Sequence, residues 1–438
     1  MNLKSLKLKF SQITKKSIFK DTSWILIARL INVVIQAAYF IILARTLGAE
    51  NYGSFVGISA LASLLSPFVP LGSDDILVKR VSVDRAVFPT YWGNALLILL
   101  VNSTAISIFL LLISRFIFPE NIPLFSIGFI LFGDLLCLNL QDTSNKAMRS
   151  VGLMQKAAQL IVLSTLGKLL AILGIITFLN GADLSAEVNI ETWSIFYFLS
   201  SFIISLFAIL TINKMVGKPQ LMLSRIKSDI RQGIYFSLGM SANNINNNID
   251  KTMLVSMATL DATGVYGSAY RFINIGDVPM LSMFNATYPR FFQYGSEGWD
   301  KCLNFAKKLL PVVFGYGVIG FIGFQVFAPV VPKVLGAEYE NVIPTLRWLA
   351  PLPLISGLQL LISNTLTGLG HQKARSIIQT ISAGANVLLN LWLIPLYGLY
   401  GAIWATLASD TARVICLTVA LFHLYGLSKQ KTNNSRSN

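Results

Sequence analysis

One polar stretch stands out in this 438-residue chain: SANNINNNIDKTM, from Ser241 to Met253. It holds five asparagines, an aspartate and a lysine in thirteen residues, within an apolar segment long enough to cross a bilayer. Amide, carboxylate and ammonium groups hydrogen-bond hydroxyls and pair with ions. Facing lipid they would be costly, so such groups usually face a bundle interior or a water-filled cavity.

The polar residues of this stretch share one face of a helix. At about 100° per residue they fall within an arc of about 200°, while Leu238, Ile245 and Ile249 lie on the opposite arc. The spacing predicts a helix whose polar front lines a hydrated cavity. The candidate lining residues are Asn243, Asn244, Asn247 and Asn248, together with Gln36 on an earlier span. The alternative is that the asparagines only hydrogen-bond neighbouring helices to one another.

Basic residues inside the apolar spans could bind an anionic ligand. The candidates are Arg29, Lys168, Lys251 and Arg271. An arginine keeps its charge when it is desolvated, and its guanidinium can hold two phosphate oxygens, which favours Arg29 and Arg271. Asn32 and Gln36 follow Arg29 at i+3 and i+7, on the same helix face.

Acidic residues inside the spans could bind a coupling proton or cation. The candidates are Asp134, Asp250, Asp277 and Asp410. Asp410 and Arg413 lie three residues apart, and this spacing also fits a structural pair on one helix face. Asp134 and Lys168 lie on neighbouring spans, so they either pair with each other or remain available to a ligand.

The elements that must position these residues are membrane spans. The chain is 54% hydrophobic and 13% charged, whereas a soluble domain is about 25% charged. Its apolar blocks predict twelve spans, the eighth being the weakest because Arg271, Asp277 and Pro279 interrupt it. The spans are 23–44, 53–72, 90–113, 122–142, 157–179, 192–212, 234–256, 264–288, 309–330, 345–366, 374–395 and 400–425.

The distribution of positive charge predicts how the chain lies in the membrane. The net charge is +15, and 26 of the 35 lysines and arginines fall in the segments that are cytoplasmic if the N-terminus is inside. Four fall in the outer loops. Such asymmetry is typical of cytoplasmic loops, so we expect both termini in the cytoplasm. The same asymmetry accounts for the net positive charge, so nucleic-acid binding is not needed to explain it.

Two short matches indicate an internal repeat. TLGAENYGS (Thr46 to Ser54) resembles TLDATGVYGS (Thr259 to Ser268), and QKAAQ (Gln155 to Gln159) resembles QKARS (Gln372 to Ser376). Each pair is separated by about half of the chain. We therefore predict an all-α polytopic membrane protein with two pseudo-symmetric six-helix bundles. The predicted segments are an amphipathic N-terminus at 1–20, lobes at 21–212 and 234–426, a cytoplasmic linker at 213–233, and a disordered tail at 427–438.

Catalytic chemistry finds little support in the sequence. The three cysteines, Cys137, Cys302 and Cys416, lie apart without a CxxC motif or a histidine partner. The sequence has no GxxxxGK[ST] loop for direct ATP use. A membrane glycosyltransferase or polymerase is the enzyme alternative, but it needs a sizeable outer loop with catalytic groups, and the outer segments are short. We predict no catalytic residue, metal or cofactor.

The sequence resembles the polysaccharide repeat-unit flippases, which serve O-antigen or capsule synthesis, of the multidrug/oligosaccharidyl-lipid/polysaccharide exporter superfamily. The resemblance lies in LARTLGAENYGSF (Leu43 to Phe55), LGSDDILVKRVS (Leu71 to Ser82) and PLYGLYGAIWATLASD (Pro395 to Asp410). With the twelve spans and the half-repeat, it covers essentially the whole chain. The density of asparagines in the seventh span departs from the pattern of that family.

The resemblance implies that undecaprenyl-pyrophosphate-linked oligosaccharide is moved from the inner to the outer leaflet of the bacterial cytoplasmic membrane by alternating access. The basic residues Arg29, Lys168, Lys251 and Arg271 would receive the pyrophosphate, and the amides would bind sugar hydroxyls. Membrane lipids and polysaccharide polymerase machinery are the other implied partners. A multidrug or cation antiporter of the same superfamily would share the fold, and it remains the alternative.

Overall fold

The computed structural model describes residues 3–178 and 188–434, and helices make up nearly all of this part of the chain. The helices are α1 (Leu3–Leu65), α2 (Ser73–Val81), α3 (Phe88–Ile117), α4 (Leu124–Phe132), α5 (Asn139–Ser150), α6 (Met154–Phe178), α7 (Ile190–Met215), α8 (Leu223–Met257), α9 (Leu260–Ser296), α10 (Trp299–Phe327), α11 (Val331–Leu335), α12 (Val342–Leu349), α13 (Leu352–Gly368), α14 (Gln372–Tyr397) and α15 (Leu399–Asn434). Helix covers each of the twelve predicted spans except for a few terminal residues, so the all-α prediction is confirmed.

The first two predicted spans lie on one element, α1, which breaks at Gly48. Gly48 has φ 69° and ψ 173°, outside the helical region. Side chains with a Cβ rarely adopt a positive φ, so glycine is the residue that makes the break possible. The predicted outer turn TLGAENYGS is therefore only a change of direction between two helical segments.

Two other spans are irregular. The fourth consists of α4, a π-helical segment at Gly133–Leu138, and α5. The tenth is a pair of helices, Ala337–Leu349 and Leu352–Gly368, bent by 41°. Pro351 at the bend cannot donate a backbone hydrogen bond, which explains why the helix is interrupted there.

Eight helices in the described residues are long and apolar enough to cross a membrane, or nine if the bent pair forms one span. This number is below twelve partly because α1 contains two predicted spans. Helices α8 and α9 are absent from this set because they carry the asparagine run, Arg271 and Asp277. The protein is a multi-pass membrane protein, and its two long helices with polar interiors are α8 and α9.

The chain divides into two compact units. Unit 1 consists of Met1–Gly48 and Ile58–Ser241, and unit 2 of Ala49–Gly57 and Ala242–Asn438. The divisions fall inside α1 and α8, so the boundary lies further along α8 than the predicted linker at 213–233.

Part of the predicted linker packs firmly within unit 1. The Asn94 side chain donates to the Met222 carbonyl at 3.2 Å and accepts from the Met222 amide at 3.0 Å. The Trp92 indole donates to the Asn213 side-chain oxygen at 3.0 Å. These contacts fix the connection between α7 and α8 against α3.

The two predicted terminal segments are described only in part. Helix α15 continues to Asn434, so much of the tail predicted as disordered is helical; helix propagates readily from an established span, because each added residue gains a hydrogen bond. Residues 435–438 lie outside the described part. At the other end, α1 begins at Leu3, but the amphipathic character predicted for 1–20 depends on side chains outside the described part.

Candidate functional site

Asp250 is the centre of a buried polar cluster in unit 2. Its Oδ2 accepts a hydrogen bond from the Tyr266 hydroxyl at 2.5 Å, and its Oδ1 accepts from the Lys251 amide at 2.8 Å. The Tyr266 hydroxyl also lies 3.0 Å from Oγ1 of Thr406. Asp250 is only 2% exposed. The cluster thus joins α8, α9 and α15 through a carboxylate whose two oxygens both have donors.

Lys251, predicted to bind an anion, is held by groups of its own helix. Its ammonium donates to the Asn247 carbonyl at 2.6 Å and to Oδ1 of Asn248 at 3.3 Å. Asp250 Oδ1 lies 3.5 Å away, and the Tyr270 ring centroid lies 4.5 Å away, within cation–π distance. The charge of Lys251 is therefore balanced, and an anion would have to displace one of these groups to reach it.

Asp410 and Arg413 form the predicted ion pair on α15, and both are largely buried. With its amide oxygen turned toward Arg413, Asn246 accepts from Nη1 at 2.8 Å and from Nη2 at 3.2 Å. Asp250 lies close enough to Asp410 to affect it electrostatically. The two carboxylates and the two cations of this region thus form one balanced polar cluster.

The asparagines of α8 do not all face the same surroundings. Asn248 binds Lys251 through its side chain, and Asn246 faces Arg413. Asn247 is exposed, and Asn244 is half-buried. The side chain of Asn243 lies outside the described part. Some of the asparagines thus link polar groups inside unit 2, as the alternative interpretation proposed, and Asn247 remains open to a ligand.

Arg271 on α9 differs from the other two unit 2 cations. It is half-buried, and no described residue forms an ion pair or a hydrogen bond with its guanidinium. The buried hydroxyl of Tyr52 lies within the range of its charge. Unlike Lys251 and Arg413, Arg271 is therefore a cation that no described carboxylate pairs with.

Asp277 lies farther along α9, beside Gly276 and two residues before Pro279. Its Oδ1 is shielded from solvent and receives no hydrogen bond from the described residues. The nearby Tyr316 hydroxyl on α10 donates to the Gly276 carbonyl rather than to the carboxylate. Asp277 therefore forms no ion pair with Arg271, the other charged candidate on α9.

Unit 1 contains a second carboxylate–tyrosine contact. Asp134 lies on the π-helical segment of the fourth span, and its Oδ1 accepts a hydrogen bond from the Tyr197 hydroxyl on α7. Lys168 on α6 lies over the Tyr197 ring, with its Nζ 5.1 Å from the centroid. Tyr197 therefore connects the two residues that the sequence placed near each other. Such π-helical turns inside α-helices are frequent at functional sites.

The remaining predicted residues lie on α1 in unit 1. Arg29 is exposed, and it has no ion-pair partner among the described residues. Asn32 and Gln36 are half-buried on the same face, and the Asn32 side-chain oxygen receives no hydrogen bond there. This face of α1 therefore has the cation and amide groups that the sequence predicted for ligand binding.

The tyrosines of both units were missed by sequence reasoning. Two of them donate hydrogen bonds to carboxylates: Tyr197 to Asp134 and Tyr266 to Asp250. The ring of Tyr270 lies under the Lys251 ammonium. Tyrosine is common in membrane helices, so its type gives little signal. Tyr266 belongs to the repeated motif TLDATGVYGS, and the repetition of Tyr-Gly-Ser was the one indication of its importance.

Two known proteins are similar to this chain over most of its length. At 21% identity, the chain is similar to a probable low-salt glycan biosynthesis flippase, Agl15 of Haloferax volcanii, over 89% of this chain and 80% of the relative. At 23% identity, it is similar to an uncharacterized membrane protein of Methanocaldococcus jannaschii, over 90% of this chain and 95% of the relative.

The fold is similar to that of solved transporters of the multidrug/oligosaccharidyl-lipid/polysaccharide (MOP) superfamily. The inward-facing structure of a multidrug resistance MATE family transporter of the MOP superfamily matches with a TM-score of 0.66 and 18% identity, covering 91% of this chain and 96% of the other. The family described as polysaccharide biosynthesis protein matches residues 18–295, more than half of the chain. The chain therefore belongs to the polysaccharide biosynthesis protein family.

Proposed function

We propose that this protein flips undecaprenyl-pyrophosphate-linked oligosaccharide repeat units from the inner to the outer leaflet of the bacterial cytoplasmic membrane by alternating access. The product would be used for surface polysaccharide such as O-antigen, lipopolysaccharide, capsule or exopolysaccharide. The family and the flippase relative support a lipid-linked glycan as cargo. The undecaprenyl carrier, the bacterial membrane and a downstream polymerase rest on the resemblance seen in the sequence.

The unpaired cation Arg271 is the observation that carries this proposal. A cation without a partner inside a membrane protein is costly, and it usually marks the path of an ion or substrate. The guanidinium is planar and presents paired donors that match phosphate oxygens. Since Lys251 and Arg413 are already balanced by Asp250 and Asp410, Arg271 is the anion-binding candidate of unit 2 whose charge remains available for a pyrophosphate.

The other predicted residues take secondary roles in the proposal. Arg29, which is exposed on α1, is the corresponding candidate in unit 1. Asn247 and Gln36 are candidates for binding sugar hydroxyls, because amides both donate and accept hydrogen bonds. Lys168 and Lys251 contribute positive potential, although each lies against a tyrosine ring.

The proposal is tested by locating lipid-linked oligosaccharide in a deletion strain. Intact spheroplasts would be treated with a glycan-modifying enzyme that cannot cross the membrane, and the modified fraction of the extracted lipid would be measured. We expect complete repeat units that the enzyme cannot reach. Truncated units would indicate an enzyme of assembly, and accessible units would indicate export of a drug or ion instead.

Variants of α9 then test the site. We expect Arg271→Ala to lower the accessible fraction at least about tenfold, which corresponds to about 1.4 kcal/mol, and Arg271→Lys to restore part of it. The matched control is Arg290→Ala on the same helix, because Arg290 is exposed. Normal export by Arg271→Ala protein at normal abundance would contradict the pyrophosphate role.

A further inference from the structure

The four carboxylates inside the predicted spans have different surroundings. Asp134 accepts from Tyr197, Asp250 from Tyr266, and Asp410 from Arg413. Asp277 receives no hydrogen bond and forms no ion pair with any described residue, and its Oδ1 is shielded from solvent. Of these four carboxylates, Asp277 is therefore the one whose negative charge no described hydrogen-bond donor or cation stabilises.

The helix next to Asp277 packs against two aromatic side chains of α10 at Gly276. The Phe324 ring packs so closely against Gly276 that a Cβ at that position would lie 2.7 Å from Cζ of the ring. Tyr316 is the titratable side chain of the described residues that faces Asp277, and its hydroxyl is directed to the Gly276 carbonyl. None of the ion pairs among the described residues involves Asp277.

Pro279, two residues after Asp277, leaves a backbone carbonyl of α9 without its usual hydrogen-bond donor. Proline has no backbone N–H, so the carbonyl of Ile275 lacks the helical donor that a residue at position 279 normally provides. The Tyr316 hydroxyl supports the next carbonyl, that of Gly276. Near Asp277, hydrogen-bond acceptors therefore outnumber donors, although α9 continues through this point.

These features favour a proton rather than a divalent metal ion at Asp277. Asp277 is half-buried, and a carboxylate with one oxygen shielded from water and without a donor is disfavoured; a carboxyl group lowers this cost by taking up a proton. A metal cation needs several oxygen ligands. No cluster of three or more His, Cys, Asp or Glu side chains suited to a metal exists among the described residues. A proton also supplies the donor that the surplus acceptors lack.

We propose that Asp277 is an exchangeable proton-binding site, and that the transport cycle releases and rebinds this proton. The coupling to transport rests on the function proposed above, whereas the proton binding does not. Asp134, Asp250 and Asp410 act instead as fixed partners of Tyr197, Tyr266 and Arg413 in this scheme.

The proton is measured directly in the purified full-length protein reconstituted in lipid vesicles. Infrared spectra recorded over a pH series report a carboxylic acid C=O band that is lost as the proton leaves. We expect Asp277→Asn to remove one titrating component of this band. The control is Asp261→Asn, an exposed aspartate of the same helix, which should leave the band unchanged. A band in Asp277→Asn protein that titrates as in the wild type would overturn the proposal.

The coupling is measured in the deletion strain with the same leaflet assay. We expect Asp277→Asn to lower outer-leaflet accessibility about tenfold at normal abundance, and Asp277→Glu, which still titrates, to restore part of it. A protonophore should lower accessibility in the wild type, whereas replacing sodium in the medium should not. An Asp277→Asn protein as active and as protonophore-sensitive as the wild type would overturn the coupling. Failure of the wild-type gene itself to change accessibility would instead overturn the flippase proposal.

Discussion

Arg413 and Asp410 show how single residues act inside unit 2. Both side chains are largely buried, with 7% and 14% exposure, and Asn246 completes the contacts of the guanidinium. Buried ion pairs add little net stability compared with apolar residues, but removing one partner leaves an uncompensated charge. The pair therefore has a structural effect that differs from the ligand-binding role proposed for Arg271.

We expect Arg413→Ala to destabilise the protein by about 3–5 kcal/mol, because Asp410 would be left buried and unpaired. The measurement is the thermal transition of purified protein, together with its abundance in the membrane. Replacing both partners, as Asp410→Asn with Arg413→Met, should recover part of the loss. The control is Lys301→Ala, which removes an exposed pair with Glu297 and should have no measurable effect. A stable but inactive Arg413→Ala protein would show that the residue binds cargo.

At the scale of helices, the two copies of the repeated motif meet each other. Residues from Ala49 to Gly57 belong to unit 2, and Gly53 lies against the backbone of Leu260 and Gly264 at the start of α9. A Cβ at Gly53 would lie 1.9 Å from the Leu260 carbonyl oxygen. The glycines of TLGAENYGS and TLDATGVYGS therefore permit a helix crossing closer than any side chain would allow.

We expect Gly53→Ala to lower stability by about 1–3 kcal/mol, because backbone atoms on α9 cannot move aside as a flexible side chain could. The melting temperature of purified protein in detergent is the measurement. Gly384→Ala on α14 is the control, since nothing lies within 4 Å of a Cβ there. That change should be neutral, or stabilising by up to about 1 kcal/mol, because alanine favours helix. Equal melting temperatures for the two variants would show that the helix crossing tolerates a side chain.

At the scale of the whole molecule, the distribution of charge determines the expected orientation. Most lysines and arginines fall in the segments predicted to be cytoplasmic. Cytoplasmic loops of membrane proteins carry such an excess, and an even number of spans places both termini on one side. The orientation stays a prediction from the sequence, because helix positions alone do not distinguish the two sides.

We expect a fluorescent protein fused after Asn438 to fluoresce and alkaline phosphatase at the same site to be inactive, because the C-terminus should remain in the cytoplasm. Phosphatase inserted into the outer segment between α6 and α7 should be active. These paired fusions are each other's controls, because the two reporters fold on opposite sides of the membrane. An active phosphatase at the C-terminus would reverse the predicted topology.

The sequence by itself determined the class of protein, the positions of the helices and the identity of the polar residues within them. Hydropathy and charge are read locally, so runs of apolar residues identify spans without knowledge of their neighbours. The same local reading explains why α8 and α9 were recognised as unusual, since the asparagines, Arg271 and Asp277 interrupt apolar segments.

Only the tertiary structure decided which of those polar residues are engaged. Asp250 meets Tyr266 and Thr406 from two other helices, so its partners depend on packing between residues far apart in sequence. The same packing leaves Arg271 and Asp277 without partners among the described residues, although both lie on α9. The sequence determines which residues of a helix are charged. The packing of neighbouring helices determines whether those charges find a partner.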